Sequence, residues 1–312
     1  MLLRRLKFIG WLAALLVIVL GGSYLFAPQW LMQADLKREA MAAHLEKQAI
    51  QAGDTHWIYY EGGEGPTIVL LHGFAEDKDI WLKTAKLLTP HFHLIIPDLP
   101  GWGESSRDAN GSHDIDAQAA RFDAFVQALR LQGFILAGHS TGGAVAGVYA
   151  SEHPEHVAAL ALVDAFGLKS EHSAFTGNVE ASPFVFDDRA GYQRAAAQLF
   201  VQPPNPPGRF IDVLIERNRR DRAFIERQFA SLREPAQALA VQNRLGQLGM
   251  PVLGLWCHDD KVIDNSALDS LRNGLTASVA ISASTLTGCS HLPIVEKPEQ
   301  TAQILTGFAL SH

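Results

Sequence analysis

Gly138-His139-Ser140-Thr141-Gly142 is the stretch of this 312-residue chain with the most evident chemistry. It spells G-x-S-x-G. The apolar run Phe134-Ile135-Leu136-Ala137 precedes it, and a small-residue helical pattern from Gly143 to Ala150 follows. A strand, a sharp turn and a helix would lift the Ser140 hydroxyl onto the rim of a sheet. Glycines at 138, 142 and 143 let strand and helix approach closely around a strained serine. Ser140 is therefore the candidate nucleophile, and the rest of the chain must supply its partners.

A serine hydroxyl is weakly nucleophilic at neutral pH and needs a base beside it. His291, in the loop Thr287-Gly288-Cys289-Ser290-His291, follows the last strand-like run and is the candidate base. It would take the Ser140 proton and return it to the leaving group. A carboxylate must hold the imidazole in the right tautomer. Asp260 follows the apolar strand Pro251 to Trp256 and is favoured, with Asp164 second and Asp259 third. Asp98 also ends a strand, but it precedes the serine. For Asp98 and Asp164 the preferred reading is a carboxylate satisfied by loop amides.

The elements that must position these groups alternate between strand-like and helix-like runs, which predicts a mostly parallel sheet covered on both faces. Strands are expected around 56–60, 67–71, 93–97, 134–138, 158–163, 251–256 and 279–286. Residues 165–249 interrupt the rhythm. They hold a proline-rich loop, 202–208, that cannot be helical, between helical stretches. They are expected to form a helical cap or lid, inserted after the sixth strand of a core made of residues 55–164 and 250–312. Phe166, Leu168, Phe175, Phe184 and Phe186 would line an acyl pocket beneath it or form the cap's own core, and the second role is preferred for each.

The motifs resemble those of the α/β-hydrolase-fold serine hydrolases. The resemblance rests on His72-Gly73-Phe74, the run Asp98 to Ser105, the Ser140 pentapeptide, Trp256 to Val262, and Gly288-Cys289-Ser290-His291, and it covers about residues 55–312. Within that superfamily the chain is similar to membrane-anchored monoacylglycerol lipases and small bacterial lipases and esterases. The resemblance implies a catalytic triad of Ser140, Asp260 and His291. It also implies an oxyanion hole formed by the backbone N–H groups of Phe74 and Thr141, and cleavage of carboxylic esters through an acyl-serine. The family's acid lies three residues past a tryptophan-glycine pair, which falls on Asp260. Cys257 replaces that glycine, and Thr141 stands where methionine is common. Carbon–carbon hydrolases of ring-cleavage products and cofactor-free perhydrolases share the triad and form the alternative reading. For the former, Arg189, Arg194 and Arg209 are available to meet a substrate carboxylate. A non-catalytic binding protein on the same fold is the third reading.

Phe8 to Ala27 run for twenty residues without a charge, behind Arg4, Arg5 and Lys7. That is the length needed to cross a bilayer, and no good cleavage site follows it. Residues 1–30 are expected to be a signal anchor, with the catalytic domain on the non-cytoplasmic side, periplasmic in a Gram-negative cell. A cleaved signal releasing a secreted or periplasmic enzyme is the alternative. Tyr24 and Trp30 suit the membrane interface. Residues 31–54 are expected to be an amphipathic linker helix.

The net charge of −7 disfavours nucleic acid as a partner. The chain holds no P-loop, H-E-x-x-H or G-x-G-x-x-G pattern, so no cofactor or metal is expected. The partners expected are a small-molecule or lipid ester and the membrane. The two cysteines, Cys257 and Cys289, fall in the loops of the acid and the base. They could bridge in an oxidising compartment, but the preferred reading is two small buried residues.

Overall fold

A computed structural model of the chain describes residues 2–108, 111–176, 182–276 and 279–312. Eight strands form one sheet: β1 (Leu45–Ala52), β2 (Thr55–Gly62), β3 (Thr67–Leu71), β4 (His93–Pro97), β5 (Phe134–His139), β6 (Val157–Val163), β7 (Val252–Cys257) and β8 (Ile281–Leu286). Their spatial order is β1-β2-β4-β3-β5-β6-β7-β8. β1 pairs antiparallel with β2, and β2 antiparallel with β4; every other pairing is parallel. The central strands β3 to β7 are near-continuous apolar runs, as burial on both faces requires. Their side chains divide into two apolar clusters, one on each face of the sheet.

The helices are α1 (Leu2–Phe26), α2 (Pro28–Ala42), α3 (Leu82–Leu88), α4 (Ile115–Leu129), α5 (Thr141–Glu152), α6 (Arg189–Leu199), α7 (Gly208–Leu232), α8 (Pro235–Ala238), α9 (Ala267–Gly274), α10 (Pro293–Glu296) and α11 (Pro298–Ala309). α4 begins at Asp114, whose carboxylate accepts the Ala117 N–H. It ends at Arg130 in the left-handed conformation. Both are ordinary capping devices.

The sequence expectations hold for seven strands, within a residue or two at their ends. Thr276 is the last described residue before Val279, so Ser278 at the head of the final run lies outside the described residues. The linker helix expected over 31–54 is corrected. α2 stops at Ala42, His44 turns with a positive φ of 54°, and residues 45–52 form edge strand β1. It is mostly exposed along its length and buried only at its ends, at Leu45 and Ala52. The mixed polar pattern that resembled an amphipathic helix is that of a half-exposed antiparallel edge.

From Arg4 to Phe26, α1 is long and apolar enough to span a bilayer, and none of these residues is buried inside the protein. Tyr24 packs edge-on against Phe210 of α7, with ring centroids 5.6 Å apart. α1 therefore meets the helical segment between β6 and β7 at its carboxyl end. Residues 177–181 of that segment lie outside the described residues.

Candidate active site

The turn from β5 into α5 sets the Ser140 side chain. Ser140 has φ 52° and ψ −122°, a backbone region rarely used by residues with side chains. Close packing enforces it. A Cβ at Gly138 would lie 2.3 Å from the Gly142 carbonyl oxygen, and one at Gly142 would lie 2.3 Å from that of His72. These two glycines are the only residue type the elbow admits.

Parallel register brings the partners in. β5, β6, β7 and β8 are consecutive in the sheet, so the loops leaving their carboxyl ends converge on one edge. His291 Nε2 lies 2.9 Å from Ser140 Oγ. His291 Nδ1 lies 2.9 Å from Asp260 Oδ2. An ionised carboxylate only accepts, so Nδ1 carries the ring proton and Nε2 is free to accept from the serine hydroxyl. Asp260 Oδ1 is held by the N–H groups of Val262 and Ile263 at 2.7 and 3.0 Å. All three side chains are buried.

The rival acids are placed elsewhere. Asp259 is exposed and bonds its neighbour His258. Asp164 accepts the Cys257 N–H at 2.8 Å through Oδ1, while its Oδ2 is buried without a partner. Burial, followed by the nearby Asp260 charge, pushes Asp164 well above the usual carboxylate range. Asp98 is satisfied by backbone amides as expected, and also by the buried Lys78 ammonium at 2.8 Å. That ion pair fastens the loop after β3 to the end of β4.

Thr141 is the first residue of α5, where a backbone N–H has no carbonyl four residues back to bond. Phe74 follows Gly73 in the loop after β3, and its ring packs edge-on against Trp102, Phe175 and Phe184. Ser140 and His291 open into a cavity of about 370 Å³ lined mainly by aromatic and aliphatic side chains. Phe175, Phe184 and Phe186 line it, and Phe175 and Phe184 are at the same time part of the buried core, as preferred from sequence. Phe166 and Leu168 do not line it and belong to the core. Phe175, Phe184 and Phe186 lie outside helices and strands, before α6, so no local periodicity announces from sequence which ring would meet the serine.

The cysteine expectation is also corrected. Cys257 and Cys289 form a disulfide with a Cα separation of 5.5 Å. Strand register is the reason: Cys257 sits opposite Leu286 at the end of the β7–β8 pair, and the turn at Gly288 brings Cys289 back beside it.

A model of the α/β-hydrolase fold matches residues 66–207. A solved membrane phospholipase A, described as a bacterial virulence factor, is 33% identical; the match covers 98% of each chain with a TM-score of 0.86. The chain belongs to the α/β-hydrolase fold family. Bovine monoacylglycerol lipase ABHD6 is 27% identical over 97% of this hydrolase and 93% of its own length. A variant of the meta-cleavage product hydrolase CumD is 18% identical over 85% of this chain and 98% of its own, with a TM-score of 0.70, and shares the fold alone. Two groups of the hydrolase site were missed from sequence, Glu76 and the ring of His139. His139 is visible only as the x of the pentapeptide, and nothing local marks Glu76.

Proposed function

We propose that this hydrolase cleaves carboxylic esters of lipid amphiphiles through an acyl-serine intermediate. The observation that carries the proposal is the unbroken chain Ser140–His291–Asp260 opening on an apolar cavity. Ser140 Oγ attacks the ester carbonyl carbon as its proton passes to His291 Nε2. The imidazolium is stabilised by Asp260. The tetrahedral oxyanion is held by the Thr141 and Phe74 N–H groups, each such donor contributing about 3–4 kcal/mol. Collapse expels the alcohol, which takes the proton from His291, and leaves Ser140 acylated. Water then adds to the acyl carbon, giving its proton to His291. The second collapse releases the carboxylic acid and returns the proton to Ser140.

The aromatic lining suits a fatty acyl chain, and the segment 165–249 acts as a cap that keeps water from it. An anchor at residues 1–30 would hold the enzyme where such esters concentrate, with the cationic Arg4, Arg5 and Lys7 on the cytoplasmic side. The names of the relatives, monoacylglycerol lipase and membrane phospholipase A, point toward lipid esters as well. The carbon–carbon hydrolase reading needs a cation for a substrate carboxylate. Arg189, Arg194 and Arg209 are not among the cavity residues. The arginines that are there, Arg107, Arg217 and Arg220, already pair with Asp221, Asp77 and Asp221.

Turnover of p-nitrophenyl esters of graded acyl length tests the proposal. Ser140→Ala should lower kcat by several orders of magnitude, and a fluorophosphonate should label the native protein but not this variant. Native-level turnover by the variant would overturn it.

A further inference from the structure

His139 stands one residue before Ser140, and its side chain is fully buried. Its Nε2 lies 2.7 Å from the backbone carbonyl oxygen of His291. A carbonyl oxygen only accepts, so this nitrogen must carry a proton. Its Nδ1 lies 3.1 Å from Glu76 Oε2. The same Glu76 oxygen accepts the Gly73 N–H at 2.7 Å. Nδ1 and Oε2 therefore share one further proton, and the surroundings decide where it sits.

Burial opposes charge on both groups. For His139, the Glu76 carboxylate, its hydrogen bond and the His291 carbonyl outweigh burial and leave it above the usual histidine value. For Glu76, the His139 charge and hydrogen bond, then the Gly73 N–H, outweigh burial and leave it below the usual carboxylate value. Both directions favour an imidazolium facing a carboxylate over a neutral pair. Other titratable groups face the pair. His291 has its ring centroid 4.9 Å from that of His139. Asp164 has an oxygen within 4.8 Å of both rings. The charge of Asp260 also favours the His139 cation. On the Glu76 side stands His72, whose Nε2 accepts the Leu99 N–H.

We propose that Glu76 and His139 form a charged clamp that positions the catalytic groups, joining the Gly73–Phe74 amides, the Ser140 elbow and the His291 loop. The role rests on the acyl-serine reading. Glu76 fixes Gly73 directly, and Gly73 carries the peptide whose N–H belongs to Phe74. His139 fixes the main chain of the base. Glu76 lines the cavity, but its hydrogen bonds go to Gly73 and His139 and not to Ser140 Oγ or His291 Nε2, so both act as positioning residues. Displacement of such a group by about 1 Å is enough to cost roughly a hundredfold in rate.

The clamp has a defined pH range. Once His139 loses its second proton, one ring nitrogen presents a lone pair to an acceptor and that link is lost. Because its pKa is raised, this happens at higher pH than for an ordinary histidine. On the acid side the link is lost as pH falls through the lowered Glu76 value.

The test uses the full-length protein in detergent. Glu76→Gln keeps shape and hydrogen-bonding capacity but removes the charge. It is expected to lower kcat roughly tenfold or more, to leave KM within about twofold, and to move the upper limb of the kcat–pH profile to lower pH. Glu76→Asp, which keeps the charge, should recover part of kcat. Nitrogen-15 shifts of the His139 ring in the native protein should show two protonated nitrogens at neutral pH. A Glu76→Gln enzyme with native kcat and an unmoved upper limb overturns the proposal. So does a neutral His139 ring, which can be read even if every variant fails to fold. Failure of the acyl-serine reading is distinct: native protein would then lack Ser140-dependent turnover, whatever the ring shifts show.

Discussion

Removing the Cys257–Cys289 bond should destabilise the native state by about 3–4 kcal/mol. The two residues are 32 apart in sequence. Closing a loop of that length in the unfolded chain removes about 12 cal/mol/K of entropy, or about 3.7 kcal/mol at 25 °C. For domains of roughly this size each kcal/mol shifts the melting temperature by about 2–4 °C, so a fall of roughly 7–15 °C is expected. The Cys257→Ala, Cys289→Ala double variant removes the link at little cost in volume. The bond also sits inside the site, since Cys257 is three residues before Asp260 and Cys289 two before His291. Turnover measured well below the melting temperature should therefore fall too, as the acid and base loops gain independent motion. Circular dichroism melting and p-nitrophenyl ester turnover, each with and without reductant, make the measurement. A double variant that melts within a degree or two of the native protein, with the native protein indifferent to reductant, would refute the entropic argument. A stabilising disulfide also accords with a catalytic domain outside the cytoplasm.

Asp260→Asn should lower kcat by about four orders of magnitude by favouring the wrong His291 tautomer, whereas Asp164→Asn should leave kcat near native at neutral pH. The raised pKa of Asp164 means that its favourable contribution to stability is complete below the unfolded aspartate value and is lost as pH rises toward the folded value. Asp164→Asn should thus raise the melting temperature at neutral pH and leave it unchanged in acid; a uniform fall across pH would contradict this. Gly73→Ala puts a Cβ 2.9 Å from that of Ser140 and 3.0 Å from Glu76 Oε2 and His139 Nδ1. It should depress kcat far more than KM, and equal effects on both would count against the oxyanion assignment. Protease added to intact spheroplasts should digest the catalytic domain and spare the Arg4–Lys7 end; protection of the whole chain would reverse the proposed orientation.

The sequence by itself determined the parallel core, because strands buried on both faces must be continuous apolar runs and β3, β5, β6 and β7 are such runs. It also pointed to Ser140 and His291, since an elbow between strand and helix and a loop after the last strand are local patterns. It left the acid open, because Asp259, Asp260 and Asp164 all end strands and only orientation separates them. Tertiary structure decided that Asp260 faces the imidazole, while Asp164 points one oxygen into a buried space without a partner. It decided the disulfide, which depends on the β7–β8 register rather than on either cysteine's neighbours. It made residues 45–52 an edge strand where local pattern allowed a helix. It also created the Glu76–His139 pair from residues 63 positions apart. Local patterns follow from backbone geometry over a few residues, but a pairing across the sheet exists only once the whole chain has folded.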